Sequence, residues 1–392
     1  MSVVTATVKA TPRVAAPARL TMSSAGVVQR NGAPVRGGGV NAFQIVNNDY
    51  PNPSGRLMSH AEIDSLLDDA VTLKALFVRA HTLGVNVGPN SWNLVTGVTG
   101  TTSPVISYNA PVWEVMDYSV KAASIRGLYL VVSMTDELGY YHGGKRTWVN
   151  FRRPGTCSTD PNVKSANSQT EKDAESYYFT DAQIIRDQRQ YAYDWLNHTN
   201  QYTGRQYKNE PSIVLQPGNE LWTADGYRSW QPAYANYIAS IAPDMFIVDG
   251  MSADTSSYWS TVGEDPITHI ITVESLQNPN IKAHGIHPYS NATAADVTRA
   301  ARLCASYGKA MMVDEYAWSK STAPGIEAAA RAEPNVFFTA FWSLQNRGDN
   351  HNGGPGQGYG GDDASLYAYG PDATQRDAIA RLQAHSTALS TN

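Results

Sequence analysis

Short runs of apolar and β-branched residues alternate along the chain with stretches whose apolar positions recur at helical spacing. This is the pattern of a parallel sheet whose strands are joined by crossover helices. Eight runs read as strands: 38–43, 76–81, 128–133, 212–215, 245–248, 283–287, 310–314 and 336–341. Between them, residues 59–74, 112–125 and 181–202 carry helical periodicity, and a last helix closes the chain. Ser59 with Glu62 three residues later is the pattern of a capping box, so the first of these helices has a defined start. A polar insertion, 140–175, follows the third strand, and a Gly-rich stretch running to Gly361 follows the eighth. Eight strands, mostly separated by helices, predict a closed (β/α)8 TIM barrel: a single domain of the α/β class with extended βα loops. An open doubly wound sheet is the alternative, but no Gly-rich phosphate loop opens a first βα unit.

Residues 1–36 read as an N-terminal flexible lead-in and first turn, the lead-in on the Thr, Ala and Pro content of residues 1–20, and 37–392 as the barrel domain. A length of 392 residues suits one barrel with long loops, and 42% hydrophobic residues can fill its core. A net charge of −5 gives no electrostatic reason to expect nucleic acid or an anionic membrane as partner. No apolar run is long enough to span a bilayer. The N-terminus lacks the basic-then-apolar pattern of a signal peptide. Secretion with the signal removed is the expectation, and an intracellular location the alternative. Cys157 and Cys304 allow at most one disulfide, and their surroundings favour two free thiols. The oligomeric state is left open.

The candidate chemistry lies at the strand ends. Arg79 and His81 close the second strand, Asn219-Glu220 follow the fourth, His287 and Tyr289 the sixth, Glu315 the seventh and Trp342 the eighth. In a barrel these points converge on one rim, where the loops build the active site. A single strand-end Glu is usually a solvated loop residue, and a single Trp usually fills a core. Two Glu on opposed strands with Arg, Asn, His, Tyr and Trp around them are the set that glycosidic cleavage needs. One carboxylic acid must protonate the departing oxygen while a second carboxylate attacks or positions water. Arg79 would keep one carboxylate ionised, Tyr289 would donate to it, Asn219 would bind the sugar 2-hydroxyl and Trp342 would floor the ring. No cofactor is called for, and no His/Asp/Glu run has metal-ligand spacing. Asp362-Asp363 read as a solvated turn.

At this point the chain resembles glycoside hydrolase family 5, and its mannanase-like members over nearly all of the sequence after residue 36. The resemblance rests on Val78-Arg79-Ala80-His81-Thr82-Leu83-Gly84, Tyr140-Tyr141-His142-Gly143-Gly144-Lys145 and Tyr178-Phe179-Thr180-Asp181. It continues through Asn200-Gln201-Tyr202-Thr203-Gly204 and Tyr207-Lys208-Asn209-Glu210-Pro211 to Gly218-Asn219-Glu220-Leu221 and Val313-Asp314-Glu315-Tyr316. It implies a retaining mechanism with Glu220 as acid/base and Glu315 as nucleophile, supported by Asn219, Arg79, His287, Tyr289 and Trp342. The sequence departs from the family pattern at Leu221-Trp222 and Tyr316-Ala317. It also departs after the third strand, where Asp136-Glu137 stand in the region of a family histidine. The implied substrate is an oligo- or polysaccharide, β-1,4-mannan or a mannose-containing oligosaccharide in the first place. An exo-acting or cellulase-like β-glycosidase is the near alternative, and a catalytically silent carbohydrate-binding protein the alternative from another class. Insertion 140–175 would either block one end of the cleft or wall an open groove, with Trp148, Tyr177 and Tyr178 as candidate sugar platforms.

Overall fold

A computed structural model describes residues 16–48, 56–81, 83, 93–137, 144–158, 168–221, 226–250, 265–289, 292–345 and 366–391. The Tyr140–Gly143 motif residues, Trp222, Asp362 and Asp363 lie outside them. Eight parallel strands close into a barrel: β1 (Gly37–Asn41), β2 (Phe77–Arg79), β3 (Tyr129–Ser133), β4 (Ile213–Gln216), β5 (Phe246–Asp249), β6 (Ile281–Ile286), β7 (Ala310–Val313) and β8 (Val336–Phe341). Closure is made by β8 against β1, with Phe338 opposite Gly37 and Phe341 opposite Val40. All eight expected strands are present in this order.

Parity along each strand explains the two apolar layers. Phe77, Tyr129, Val131, Val214, Phe246 and Met312 point into the barrel, whereas Val78, Leu130, Ile213, Ile247 and Val313 point out to the helices. Both faces are buried, so the strands read as near-continuous apolar runs rather than as alternating ones. Gly39 is required by this packing, because a Cβ there would lie 2.4 Å from the Phe338 ring.

Helix His60–Thr72 has the expected capping box: the Ser59 hydroxyl accepts from the Glu62 amide and the Glu62 carboxylate accepts from the Ser59 amide. The helix expected over 181–202 spans Ala182–Asn197, capped by Asp181. It stops there because Asp117 takes His198 (2.9 Å) and accepts from the Asn200 side chain through its backbone carbonyl (2.9 Å). The described parts of insertion 140–175 include two helices, Lys145–Arg152 and the start of Gln169–Thr180, with turns over 153–158. Helix Ala373–Thr391 packs on β1, where Ser386 sits against Gly38.

Part of the expected lead-in, residues 20–34, has regular structure. They form a three-stranded antiparallel meander, Leu20–Met22, Val28–Arg30 and Ala33–Pro34. Leu20, Val28 and Val35 join the interior cluster of Phe77, Tyr129, Phe246 and Phe337, so the meander plugs the N-terminal mouth of the barrel. Its few apolar residues are separated by turn-forming and polar residues, Ser23-Ser24, Gly26 and Gln29 to Gly32, which hid it. Cys157 and Cys304 are both free and buried. Among the described residues no helix is long and apolar enough to cross a membrane.

Candidate active site

The inward parity that places Phe77, Val131, Val214 and Met312 in the lower barrel places Arg79, Ser133, Gln216 and Asp314 one layer higher. Asn41 joins them from the end of β1. All five are buried, and a buried polar layer must satisfy itself. The Arg79 guanidinium organises it, donating to Gln216 Oε1 (3.1 Å), Asn41 Oδ1 (3.0 Å) and Asn219 Oδ1 (2.5 Å). It also donates to Glu315 Oε1 at 2.5 Å. Gln216 donates to Asp314 (3.0 Å) and accepts from Ser133 (2.9 Å).

Glu220 follows β4 in a loop stitched to both neighbouring strands. The Asn219 amide donates to the Thr135 carbonyl, and the Glu220 amide to the Gly250 carbonyl, each at 2.9 Å. Glu220 itself has φ of 53°, a left-handed conformation that an L-residue keeps only where its surroundings impose it. The carboxyl thus faces across the barrel to Glu315, which follows β7. Carboxyl oxygens of the two glutamates and a ring nitrogen of His287 lie within 4.8 Å of one another. His287 Nδ1 is 2.5 Å from Glu220 Oε1 and 3.6 Å from Glu315 Oε2, and the Tyr289 hydroxyl donates to Glu315 Oε2 at 2.7 Å.

The surroundings split the two acids. Burial pushes Glu220 above the ordinary carboxylate range, with Glu315 and Asp136 adding to the effect and His287 opposing it. Its side chain keeps 16% exposure, an opening toward the rim. Burial would raise Glu315 as well, but His287, Arg79 and His81 outweigh it and hold this carboxyl well below the ordinary range. His287 is the counterpart: burial would lower it, whereas Glu315, Asp314 and Glu220 push it up to about 10. With Nδ1–H donating to Glu220 Oε1, the other Glu220 oxygen is left to carry the acid proton. One carboxyl is thereby poised to give a proton and its neighbour to attack, the division of labour that paired acids need.

Every site residue expected from the sequence, Arg79, Asn219, Glu220, His287, Tyr289, Glu315 and Trp342, converges on this rim. Trp342 stacks on Phe43 (centroids 5.1 Å apart, 10° between planes) and meets His81 edge-on, with only 3% of its surface exposed. The aromatic residues in and beside the insertion behave differently. Trp148 and Tyr178 are core residues, packed on Tyr191 and Trp230 respectively, and Tyr177 lies under the Arg153 guanidinium. None of the three is an open sugar platform. Sequence reasoning missed Asn41, Gln216, Asp314 and Asp136. The usable signal was parity, since each of the first three continues the inward-facing register of an apolar strand. Asp136 carried no such signal. It follows β3 and joins Asn219 to His81, accepting from Asn219 Nδ2 at 3.0 Å and facing His81 Nδ1 at 3.2 Å.

Two carboxylates and an imidazole are also a donor set for a divalent metal. Here Glu315 Oε1 already takes the Arg79 guanidinium at 2.5 Å and Oε2 the Tyr289 hydroxyl at 2.7 Å, and His287 is held in its cationic form by its surroundings. A protonated imidazole has no lone pair to give a metal and both Glu315 oxygens are already engaged, so the residues do not fit a metal centre.

No family model matches the sequence, and no curated protein matches it. Solved structures match the fold. The endo-1,4-β-mannanase of Rhizomucor miehei superposes with a TM-score of 0.73 at 18% identity, over 95% of this chain and 100% of that one. The glycoside hydrolase family 5 mannosidase of the same organism gives 0.70 at 15%, over 95% and 97%. An endo-β-1,4-mannanase from Thermotoga petrophila gives 0.68 at 16%, over 92% and 78%. The likeness establishes the barrel fold.

Proposed function

We propose that this chain is a retaining β-glycosidase of the family 5 type, acting on β-1,4-mannan or mannose-containing oligosaccharides. The observation that carries the reading is the Glu220–Glu315 pair: carboxyl oxygens within 4.8 Å, one acid shifted up and the other down. Retaining enzymes hold their carboxyl groups about 5–5.5 Å apart, and inverting enzymes need about 6.5–9.5 Å to admit a water. In the first step a Glu315 oxygen attacks the anomeric carbon as the glycosidic C–O bond breaks, and the Glu220 proton passes to the departing oxygen. In the second, water attacks the same carbon, loses its proton to Glu220, and the electron pair of the ester bond returns to Glu315.

The supporting side chains fit these steps. Arg79 and Tyr289 each donate to one oxygen of Glu315, which keeps it ionised. Asn219 spends one N–H on Asp136 and has a second for the sugar 2-hydroxyl, a contact that strengthens as the oxocarbenium-like transition state forms. Trp342 would bound the sugar on the β8 side. Mannan as substrate rests on the similar structures, which include endo-mannanases and a mannosidase. A silent binding protein would have no use for two acids driven apart in this way.

The test is mechanism-based labelling. Incubation with a 2-deoxy-2-fluoromannosyl fluoride should attach the sugar to Glu315, read by peptide mass spectrometry. Proton NMR of fresh product should show the β-anomer. Product of inverted configuration, or label on another residue, would refute the assignment.

A further inference from the structure

His81 stands in a position that the proposed steps do not yet use. It follows β2, two residues after Arg79, with φ of 45°, left-handed like Glu220. His is among the few non-glycine types enriched there, and such strain persists where the surroundings over-determine it. The ring is fully buried and clamped by two aromatic rings, Trp342 at 5.0 Å and Phe43 at 6.4 Å, both edge-on. Its two nitrogens are aimed at carboxylates from different strands. Nδ1 is 3.2 Å from Asp136 Oδ2, and Nε2 is 3.4 Å from Glu315 Oε1.

Nε2 also lies 3.2 Å from Arg79 Nη1, so the proton count on the ring decides what this nitrogen does. With only Nδ1 protonated, Nε2 accepts from Arg79. With both protonated, Nε2 carries an N–H that points between Arg79 and Glu315. Among the described residues the charged groups facing the ring are Arg79 at the end of β2, Asp136 beyond β3 and Glu315 beyond β7. Burial and Arg79 favour the neutral ring, but Asp136 and Glu315 prevail and raise its pKa above the ordinary imidazole value.

We propose that His81, oriented by Asp136, is a further catalytic residue: its Nε2–H stabilises the negative charge that returns to Glu315 when the glycosyl-enzyme breaks down. This rests on the retaining reading. In that step water adds to the anomeric carbon, its proton goes to Glu220, and the C–O bond to Glu315 breaks with its electron pair left on the carboxylate. Arg79 and Tyr289 already hold one contact each. The 3.4 Å approach of His81 is the contact with room to shorten as charge grows, and catalytic hydrogen bonds are often long in the free enzyme. A donor that acts on the leaving carboxylate speeds deglycosylation and gives nothing to the attack, where it makes Glu315 less nucleophilic.

Asp136 makes the arrangement double-ended. The same carboxylate that orients His81 accepts from Asn219, the residue before the acid/base. One buried group thus fixes an arm to each catalytic glutamate, and Asp136 is a positioning residue for both.

The test uses 2,4-dinitrophenyl β-mannoside and β-mannobioside, whose leaving group makes deglycosylation limiting. His81→Asn tolerates the backbone angle and keeps a group facing Asp136 but is too short to reach Glu315. It should lower kcat about tenfold or more, the worth of one hydrogen bond to a charged group, with KM falling in step so that kcat/KM changes little. His81→Gln places an amide N–H near the Nε2 position and should recover most of kcat, with the pH dependence contributed by the ring lost. Equal losses in kcat and kcat/KM for His81→Asn, or no recovery in His81→Gln, would overturn the proposal. Fluoromannosyl labelling of the wild-type chain separates the two readings. If Glu315 is labelled and His81→Asn turns over normally, only the role of His81 falls. If Glu315 is not labelled, the retaining reading falls and this role with it.

Discussion

Arg79 donates to Glu315 at 2.5 Å with both side chains out of water, and this one contact joins β2 to the end of β7. Asp314 lies 3.5 Å from the same guanidinium, so a single cation faces two buried carboxylates. Removing one partner of a buried pair leaves the other uncompensated, at a cost of about 3–5 kcal/mol. Arg79→Met should therefore lower the unfolding free energy by that order and raise the pKa of Glu315. Arg79→Lys should recover part of the stability but not the activity, because an ammonium cannot hold Glu315, Asn219, Asn41 and Gln216 together. Denaturant melts and kcat/KM on the aryl mannoside would check both. A lysine variant of wild-type activity would show that the fork geometry is irrelevant.

Glu220 and Glu315 are displaced to opposite sides of the ordinary carboxylate range, which sets the pH profile. The proposed mechanism needs Glu315 ionised and Glu220 protonated. The acid limb of kcat/KM should thus lie below, and the alkaline limb above, the usual carboxylate values. Glu220→Gln should impair natural glycosides by about 10²–10⁴-fold, the usual worth of general acid catalysis. Dinitrophenyl mannosides, whose leaving group needs no proton, should be spared in the first step, and the alkaline limb should vanish. An equal loss on both substrates would remove Glu220 from the role of acid.

His287 ties acid–base behaviour to stability. Its folded pKa is pushed up to about 10 by Glu315, Asp314 and Glu220, against the opposing effect of burial. An unfolded imidazole titrates near ~6.5. The folded state binds this proton more tightly, so its contribution is complete below the unfolded value and is lost as pH rises through the folded one. The melting temperature should decline across that window, from about pH 6.5 toward pH 10. His287→Gln should be less stable at pH 6 and show a shallower alkaline decline. The depressed pKa of Glu315 acts at the other end, where its contribution disappears as the pH falls through the folded value. Parallel melting curves for wild type and His287→Gln across this range would contradict the account.

The sequence displayed the barrel because each strand is apolar on both faces and each connection has a helical period, and these signals are local. It displayed Arg79, Glu220, His287 and Glu315 because a polar residue at the end of an apolar run has no packing reason to be there. Asn41, Gln216 and Asp314 were harder to see, since they lie within or beside strands and reveal themselves only when inward parity is followed one layer up. Asp136 was read as a departure from the family pattern, and its partners Asn219 and His81 come from two other strands, a relation no linear spacing encodes. Trp148 and Tyr178 misled for the converse reason. A polar insertion suggests exposure, but the aromatic residues in and just after it are what anchor it, and both are buried.

The N-terminal meander was invisible for a related cause, and it supports a prediction about stability without function. Leu20 and Val28 are the residues that turn it inward, contributing to the cluster with Phe77 and Tyr129 at the mouth opposite the catalytic rim. In TIM barrels residues at that face serve stability, while the loops at the other end carry the chemistry. Leu20→Ala should therefore cost about 2–5 kcal/mol, the usual range for emptying a buried leucine site. Val28→Ala should cost somewhat less, because it removes two carbons where Leu20→Ala removes three. At temperatures where both variants remain folded, kcat and KM should equal those of the wild type. Fluorescence-monitored urea unfolding beside steady-state assays would measure the two effects separately. A changed kcat in folded Leu20→Ala would mean that the plug at the bottom of the barrel sets the geometry of the polar layer around Arg79 above it.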